Sequence, residues 1–322
     1  MTTTVLRTDT GWWVQREQTA YPIRTSAKTT GELLTDRAAI DAAATDGDAG
    51  GTPVGDLVLL SPVTAPCRVV AQMVNYRSHA KDSGINPDRV SATFFRKSSG
   101  SITGPFDDII KPAHVALLDY EVEIGLVAGA SIEVGTSVTT DTLSDFFAGV
   151  VITNDVSARD VQLPKTQFYE SKSYPTFTPV GPRLVLLTHE EWRRFDQLRL
   201  QLWVNGERRQ NGRVGGDMII DPVSALAVLT GFQRLDAGDL LLTGTPGGTA
   251  LTAPPKLIEI IGALIPPHVK WKTFFKRQAS NPKYLKDGDV VEVRIATDDG
   301  AIDLGRQRCH VTYACPPSAT PS

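Results

Sequence analysis

The stretch Asp119-Tyr120-Glu121-Val122-Glu123-Ile124-Gly125-Leu126-Val127 sets carboxylates at alternate positions ahead of an apolar run. Side chains two apart on a β-strand share a face. A strand here would project Asp119, Glu121 and Glu123 together and turn Tyr120, Val122 and Ile124 the other way. Like charges on one strand face repel, so something must compensate them. A hard cation does so, because Mg²⁺ or Mn²⁺ takes oxygen ligands and keeps positions open for water or substrate. A solvated edge strand would show the same alternation. The apolar run from Ile124 to Val127 argues instead for a buried strand. Asp155 follows a second apolar run, Val150 to Thr153, and is a further candidate ligand. Carboxylates at the ends of adjacent buried strands are what a metal pocket requires.

The elements that must position these groups are mostly short strands. From Leu57 onward, β-rich runs stand between turn signals: Val69 to Val74, Val115 to Val127, Val150 to Thr153, Arg183 to Leu187, Leu198 to Val204, Leu240 to Thr243 and Val290 to Ile295. Asn205-Gly206 between alternating segments predicts a hairpin. Helical patterning is sparse, confined to Thr142 to Ala148, Pro222 to Thr230 and Lys256 to Leu264. A doubly wound parallel sheet would need a helix after each strand, so the pattern predicts a mainly β (α+β) fold, a sandwich or roll with peripheral helices. Residues 1–60 read as a small lead-in domain. In it, Val5 to Arg7 and Trp12 to Gln15 are strands, and the capping-box pair Thr29 and Glu32 opens a helix over 30–44. The catalytic domain spans 61–315, with 316–322 as a disordered tail. Ala250 to Lys286 is an insertion whose apolar residues, Leu257 to Leu264 and then Trp271, Phe274 and Phe275, suit a dimer face, a structural cover or an active-site wall.

Composition narrows the partners. A formal net charge of -3 and a pI near 6.0 give no electrostatic case for nucleic acid or an anionic membrane. No run approaches the ~18 apolar residues of a membrane span. The start, Met1 to Thr10, shows no secretory pattern, so the cytoplasm is the expected location. Cys67, Cys309 and Cys315 are too few and too scattered for a disulfide framework, and no second cluster completes a zinc site around Cys309, His310 and Cys315.

Motifs in order along the chain resemble the fumarylacetoacetate hydrolase superfamily. Val74 to His79 resembles its N-Y-x-x-H segment, and Phe94 to Ser99 its F-x-K-x-x-S element. Asp119 to Gly125 resembles the metal-binding D-Y-E-x-E strand, and Asn154 to Gln162 the segment N-D-V-[ST]-A-R-D-x-Q. Lys172-Ser173-Tyr174 with Thr178 to Pro182, the turn Leu242 to Pro246, and Gly288-Asp289 complete the series, which runs from about Leu60 to about Gly305. The resemblance implies a mixed β-sandwich roll that assembles as a homodimer. It implies Glu121, Glu123 and Asp155 as ligands of Mg²⁺ or Mn²⁺, with Ca²⁺ as an alternative occupant in crystals. It implies Lys172 as the active-site lysine, His79 as a catalytic base and Asp82 as the acid that pairs with it. Tyr76, Arg159, Gln162 and Thr245 fall at substrate-binding positions. Pro175 stands where the family pattern has an aspartate that anchors the loop after Lys172.

These residues suggest a reaction. A small 2-oxo acid would chelate the metal, Lys172 would add positive charge beside a developing oxyanion, and His79, oriented by Asp82, would activate water. The expected activity is therefore hydrolysis of a C–C bond in a 1,3-dioxo acid of the acylpyruvate or fumarylpyruvate kind, through a metal-stabilised enolate. The same platform also serves an isomerase, decarboxylase, hydratase or dehydratase of a small 2-oxo or 2-hydroxy-dienoic acid. A non-catalytic binding protein on this fold is the alternative of another class; loss of a metal carboxylate would favour it, and all three are present.

Overall fold

The protein is described from a computed structural model, over residues 2–45, 50–165, 167–253 and 267–315. The lead-in residues form antiparallel strands Thr3–Thr8 (β1), Gly11–Arg16 (β2), Thr19–Pro22 (β3) and Thr52–Pro53 (β4). Thr29 and Glu32 do close a capping box, but the helical stretch divides into Thr30–Thr35 (α1) and Arg37–Thr45 (α2). The break falls at Asp36, whose backbone leaves the helical region and whose carboxylate accepts the Thr25 hydroxyl at 2.6 Å. Short polar side chains that bond locally compete with the helix in this way.

Six further strands follow: Val69–Gln72 (β5), Phe94–Lys97 (β6), Val122–Ala128 (β7), Phe147–Asn154 (β8), Leu184–Leu186 (β9) and Leu240–Leu242 (β10). With the lead-in strands they make one ten-stranded sheet, in the order β4-β3-β2-β1-β9-β8-β7-β10-β5-β6. Neighbours are antiparallel except β10 and β5. The lead-in strands extend this sheet through the β1–β9 pairing, and Val5, Val14, Leu33 and Ile40 share a core with it. A second sheet runs Glu207–Arg213, Leu198–Val204, Val290–Thr297, Asp303–Tyr313 and Ile109–Lys111, the last pair parallel. Asn205 and Gly206 carry its hairpin, both at positive φ (52° and 79°), as a type I′ turn requires.

The continuous apolar run in β7 has a structural reason: both faces of that strand are covered. Ile124 and Leu126 pack with Val150, Ile152, Leu200, Leu202 and Val293 between the sheets, whereas Val127 joins Val5, Leu33 and Ile40 on the other side. The fold is mainly β, with mixed sheets and peripheral helices.

Three helices flank the open end of β7 and β8: Arg77–Asp82 (α3), Arg159–Gln162 (α4) and Tyr169–Lys172 (α5). Of the segment 250–286, read above as an insertion, residues 250–253 and 267–286 are described and include the helix Pro267–Gln278 (α6), on which the Trp271 and Phe275 rings stack with centroids 5.6 Å apart. The insertion departs and returns at one place, because Asn281 Nδ2 donates to the Ala250 carbonyl at 2.9 Å. The expected helix at Lys256 to Leu264 and the tail 316–322 lie outside the described residues. Among the described residues, no helix is long and apolar enough to cross a membrane.

Candidate active site

The register of β7 against β8 builds the site. Val122 faces Asn154 and Glu123 faces Thr153. Just beyond the ladder, the Asp155 N–H donates to the Glu121 carbonyl at 2.8 Å, and the Glu121 N–H donates to Asn154 Oδ1 at 3.0 Å. Glu121, Glu123 and Asp155 thereby bring carboxylate oxygens within 4.8 Å of one another, all buried.

Asp119 does not join them. The segment read as one strand is two pieces: Leu118–Asp119 pairs with Ser157–Ala158, and β7 begins only at Val122. The break removes the shared face expected from the alternation. Asp119 turns to accept Arg159 Nε at 2.8 Å and the Ala250 and Leu251 amides at 2.8 and 3.1 Å. It anchors the root of the insertion.

Three buried cations reach in from outside the two strands. Lys172, the last residue of α5, bridges Glu121 Oε2 (2.7 Å) and Asp155 Oδ2 (2.6 Å). Pro175 does not disturb it, since the following turn is fixed by Ser173 Oγ, which accepts the Ser98 N–H at 2.9 Å. Arg159 grips Asp119 and Glu121 and donates through Nη1 to Gln162 Oε1 at 2.8 Å. Lys97, from β6, donates to Asp155 Oδ1 and to the Phe177 carbonyl, the latter at 2.9 Å. Lys97 lies inside the motif segment Phe94 to Ser99 but had no role in the sequence reading. Its one local signal is that, two residues after Phe95 on a strand, it shares that ring's face, where a buried ammonium needs a partner.

The charges decide which groups are stabilised. Burial alone would raise the Glu121 carboxyl, but Lys172 and Arg159 beside it hold it well below the usual carboxylate range. Glu123 goes the other way: burial, then the neighbouring Asp155 and Glu121 charges, push it well above its ordinary value. Burial lowers Lys97 against the pull of Asp155. Lys172 also loses hydration, yet Asp155 and Glu121 raise it overall.

At this site, among the described residues, four buried carboxylates, Asp119, Glu121, Glu123 and Asp155, face three buried cations, Lys97, Arg159 and Lys172. The remainder falls on Glu123, which among the described residues has no ion pair and accepts only the Gly244 N–H, at 2.8 Å. Gly244 sits at φ +80°, and a Cβ there would meet Asn75 Cβ at 2.8 Å, so glycine is required for that close approach. A divalent cation fits this donor set: it would take carboxylate oxygens and supply the missing positive charge.

The other expected site residues divide. His79, on α3, lines the same cavity as Glu121, Glu123, Arg159, Gln162 and Lys172. Its Nδ1 is buried without a hydrogen-bond partner, and burial lowers its pKa. The expected pairing with Asp82 is not formed, because Asp82 Oδ2 accepts the Gly248 N–H at 3.0 Å. Thr245 lines the cavity, but its hydroxyl donates to the Val122 carbonyl (2.9 Å) and accepts Gln210 Nε2 (2.8 Å), so it braces β7. Tyr76, expected to touch substrate, is fully buried in the core between the sheets and does not line the cavity; it precedes α3 and bridges to Met218. Sequence reasoning missed Phe95 and Phe168, which line the cavity together with Trp271 and Phe274, for which an active-site wall was one of the three readings.

A mainly β scaffold with an acidic triad able to hold a metal at the open end of two buried strands defines the class of protein. The chain belongs to the fumarylacetoacetate (FAA) hydrolase C-terminal family, whose pattern matches residues 68–312. It is 33% identical over 204 residues to the mitochondrial oxaloacetate tautomerase Fahd2a of Rattus norvegicus, covering 63% of each chain. It is 33% identical over 252 residues to the 2,4-didehydro-3-deoxy-L-rhamnonate hydrolase of Sphingomonas sp., covering 78% of this chain and 75% of that one. The crystal structure of a probable 2-hydroxyhepta-2,4-diene-1,7-dioate isomerase from Mycobacterium abscessus superposes with a TM-score of 0.73 at 28% identity, covering 98% of this chain and all of that one.

Proposed function

We propose that the protein is a divalent-metal-dependent enzyme that moves a proton on a small 2-oxo acid, as a keto–enol tautomerase or double-bond isomerase. The observation that carries this reading is His79, which lines the same cavity as Glu121, Glu123 and Lys172 and whose Nδ1 has no hydrogen-bond partner. A dication, Mg²⁺ or Mn²⁺, would be held by Glu121, Glu123 and Asp155 and would supply Lewis-acid polarisation of the 2-oxo group.

The protein's own groups do the rest. Lys172 holds positive charge between Glu121 and Asp155, where negative charge on the substrate oxygen would grow. Arg159 fixes Gln162 at the cavity wall and keeps Glu121 ionised. The imidazole of His79, kept neutral by burial, takes a proton from the carbon beside the oxo group and delivers it to the enolate oxygen in a tautomerase, or to the far carbon of the conjugated enolate in an isomerase. No second carboxylate is needed for that exchange. Oxaloacetate tautomerases among the relatives support the reading. A homodimer, implied by the family resemblance, belongs to the same proposal, and sedimentation equilibrium tests it.

Hydrolysis of a 1,3-dioxo acid is the second reading, supported by the hydrolase relative. It calls for water activation by a His79–Asp82 pair, so α3 would have to rearrange. The deciding assay gives metal-stripped and Mg²⁺- or Mn²⁺-loaded protein oxaloacetate enol and acetylpyruvate. Metal-dependent loss of enol absorbance without pyruvate is the expected result, with a rate about 10²–10⁴-fold lower in His79→Ala. Metal-dependent pyruvate plus acetate from acetylpyruvate would sink proton transfer in favour of hydrolysis. CO₂ from oxaloacetate would mark a decarboxylase, and inertness towards every 2-oxo acid a binding protein.

A further inference from the structure

The cavity above the carboxylates is about 820 Å³. Sites of roughly 300–1,000 Å³ hold drug-sized ligands, so a four-carbon acid would leave most of this one empty. Its lining includes the charged groups Glu121, Glu123, Arg159 and Lys172, and a set of aromatic rings. Phe95 and Phe168, from β6 and the approach to α5, meet edge to face with ring centroids 5.6 Å apart, and the Phe95 centroid lies 5.5 Å from Lys172 Nζ. Across from the strand framework, α6 contributes Trp271 and Phe274, whose rings also meet edge to face, at 5.9 Å. Leu163 and Leu251 also line the cavity.

We infer that the substrate is a 2-oxo acid with an aryl or similarly bulky apolar tail, and that Trp271 and Phe274 of the insertion select it. The inference rests on the 2-oxo-acid reading above and adds the tail. A long tail that ended in a second carboxylate, unlike the short one of oxaloacetate, would call for a further buried cation. The other cations of the lining do not supply one: Lys165 is paired with Glu170, and Arg277 is exposed. Aromatic rings disposed edge to face around an apolar space instead suit a flat apolar group, which gains from burial and from ring–ring geometry.

The test uses inert mimics that share one oxalyl head: oxamate, N-phenyloxamate and N-oxalylglycine, titrated calorimetrically into the full-length Mg²⁺-loaded protein. N-phenyloxamate should bind wild type about tenfold or more tightly than oxamate, given the worth of one buried aromatic contact. That ratio should collapse towards one in Trp271→Ala and, separately, in Phe274→Ala, each with the melting temperature recorded to show that it is folded. Trp271→Phe should keep most of the ratio. If N-phenyloxamate binds wild type no better than oxamate, or if both alanine variants keep the ratio, the aryl-tail inference is overturned. Tightest binding of N-oxalylglycine would overturn it in favour of a dicarboxylic acid. If none of the three binds, the 2-oxo-acid reading itself fails, and the inference goes with it.

Discussion

The floor and the wall of the cavity are built on different principles. The floor is made by strand register: β7 and β8 deliver Glu121, Glu123 and Asp155, and buried cations from β6, α4 and α5 lock them in place. All of those groups are buried, and all but Glu123 are tied to several others, so the set moves as a unit. The wall on the α6 side is one helix, whose aromatic side chains are only partly covered. Its aromatic positions, Trp271 and Phe274, carry shape and no charge. The floor therefore has chemistry and stability tied together, whereas the wall can change its substrate preference at small cost to the fold.

That contrast can be broken by measurement. The largest effect should come from Asp155→Ala, which leaves Lys97 and Lys172 buried beside a missing partner. Denaturant titration should show a loss of about 3–5 kcal/mol, the usual cost of orphaning a buried charge, together with loss of turnover. A cost under about 1 kcal/mol would show that the floor does not couple charge to stability. Next is metal. Because the dication would bind only where the three carboxylates converge, Mg²⁺ at about 100 times its Kd should stabilise wild type by about 2.7 kcal/mol. Glu123→Gln should lose most of that gain, and an equal gain in the variant would remove Glu123 from the ligand set.

A smaller effect concerns pH. Burial sets the His79 pKa in the folded protein below the ordinary imidazole value of about 6.5. As pH falls through about 6.5, the unfolded chain takes up this proton first, so stability declines until the folded-state pKa is reached. The slope is at most about 1.4 kcal/mol per pH unit for one proton. Stability curves measured from pH 8 to pH 5 should be flatter in His79→Phe, and unchanged curvature would place the proton elsewhere. The smallest effect belongs to the wall. Phe274→Ala should cost only about 0.5–1 kcal/mol, as expected of a partly exposed site, and a loss matching that of Asp155→Ala would erase the distinction between floor and wall.

The same division governs what could be read from the sequence. Glu121, Glu123 and Asp155 were legible because strand periodicity and flanking apolar runs are local signals. Asp119 was misplaced with them, since its true partners are Arg159 and the amides of Ala250 and Leu251, far along the chain. Lys97 went without a role for the same reason: Asp155 is distant in sequence. The His79–Asp82 spacing fits a pair one helical turn apart, but the Gly248 amide competes for the carboxylate, and nothing near residue 82 reveals it. Tyr76 reads as a substrate contact only if its ring faces the cavity, and packing between the sheets sends it inward. Around α6, the aromatic spacing of Trp271, Phe274 and Phe275 announced an apolar face but not what it would face.

The junction at Ala250 has a consequence for how such proteins diversify. Asn281 closes the insertion onto the Ala250 carbonyl, and Asp119 ties the adjacent amides to the site's own charge network. With entry and exit pinned side by side, the segment between them acts as an exchangeable cassette. Loop-closure entropy rises only slowly with length, about 0.6 kcal/mol per doubling, so another chain could be spliced in between Ala250 and Asn281 while the strands beneath keep their register.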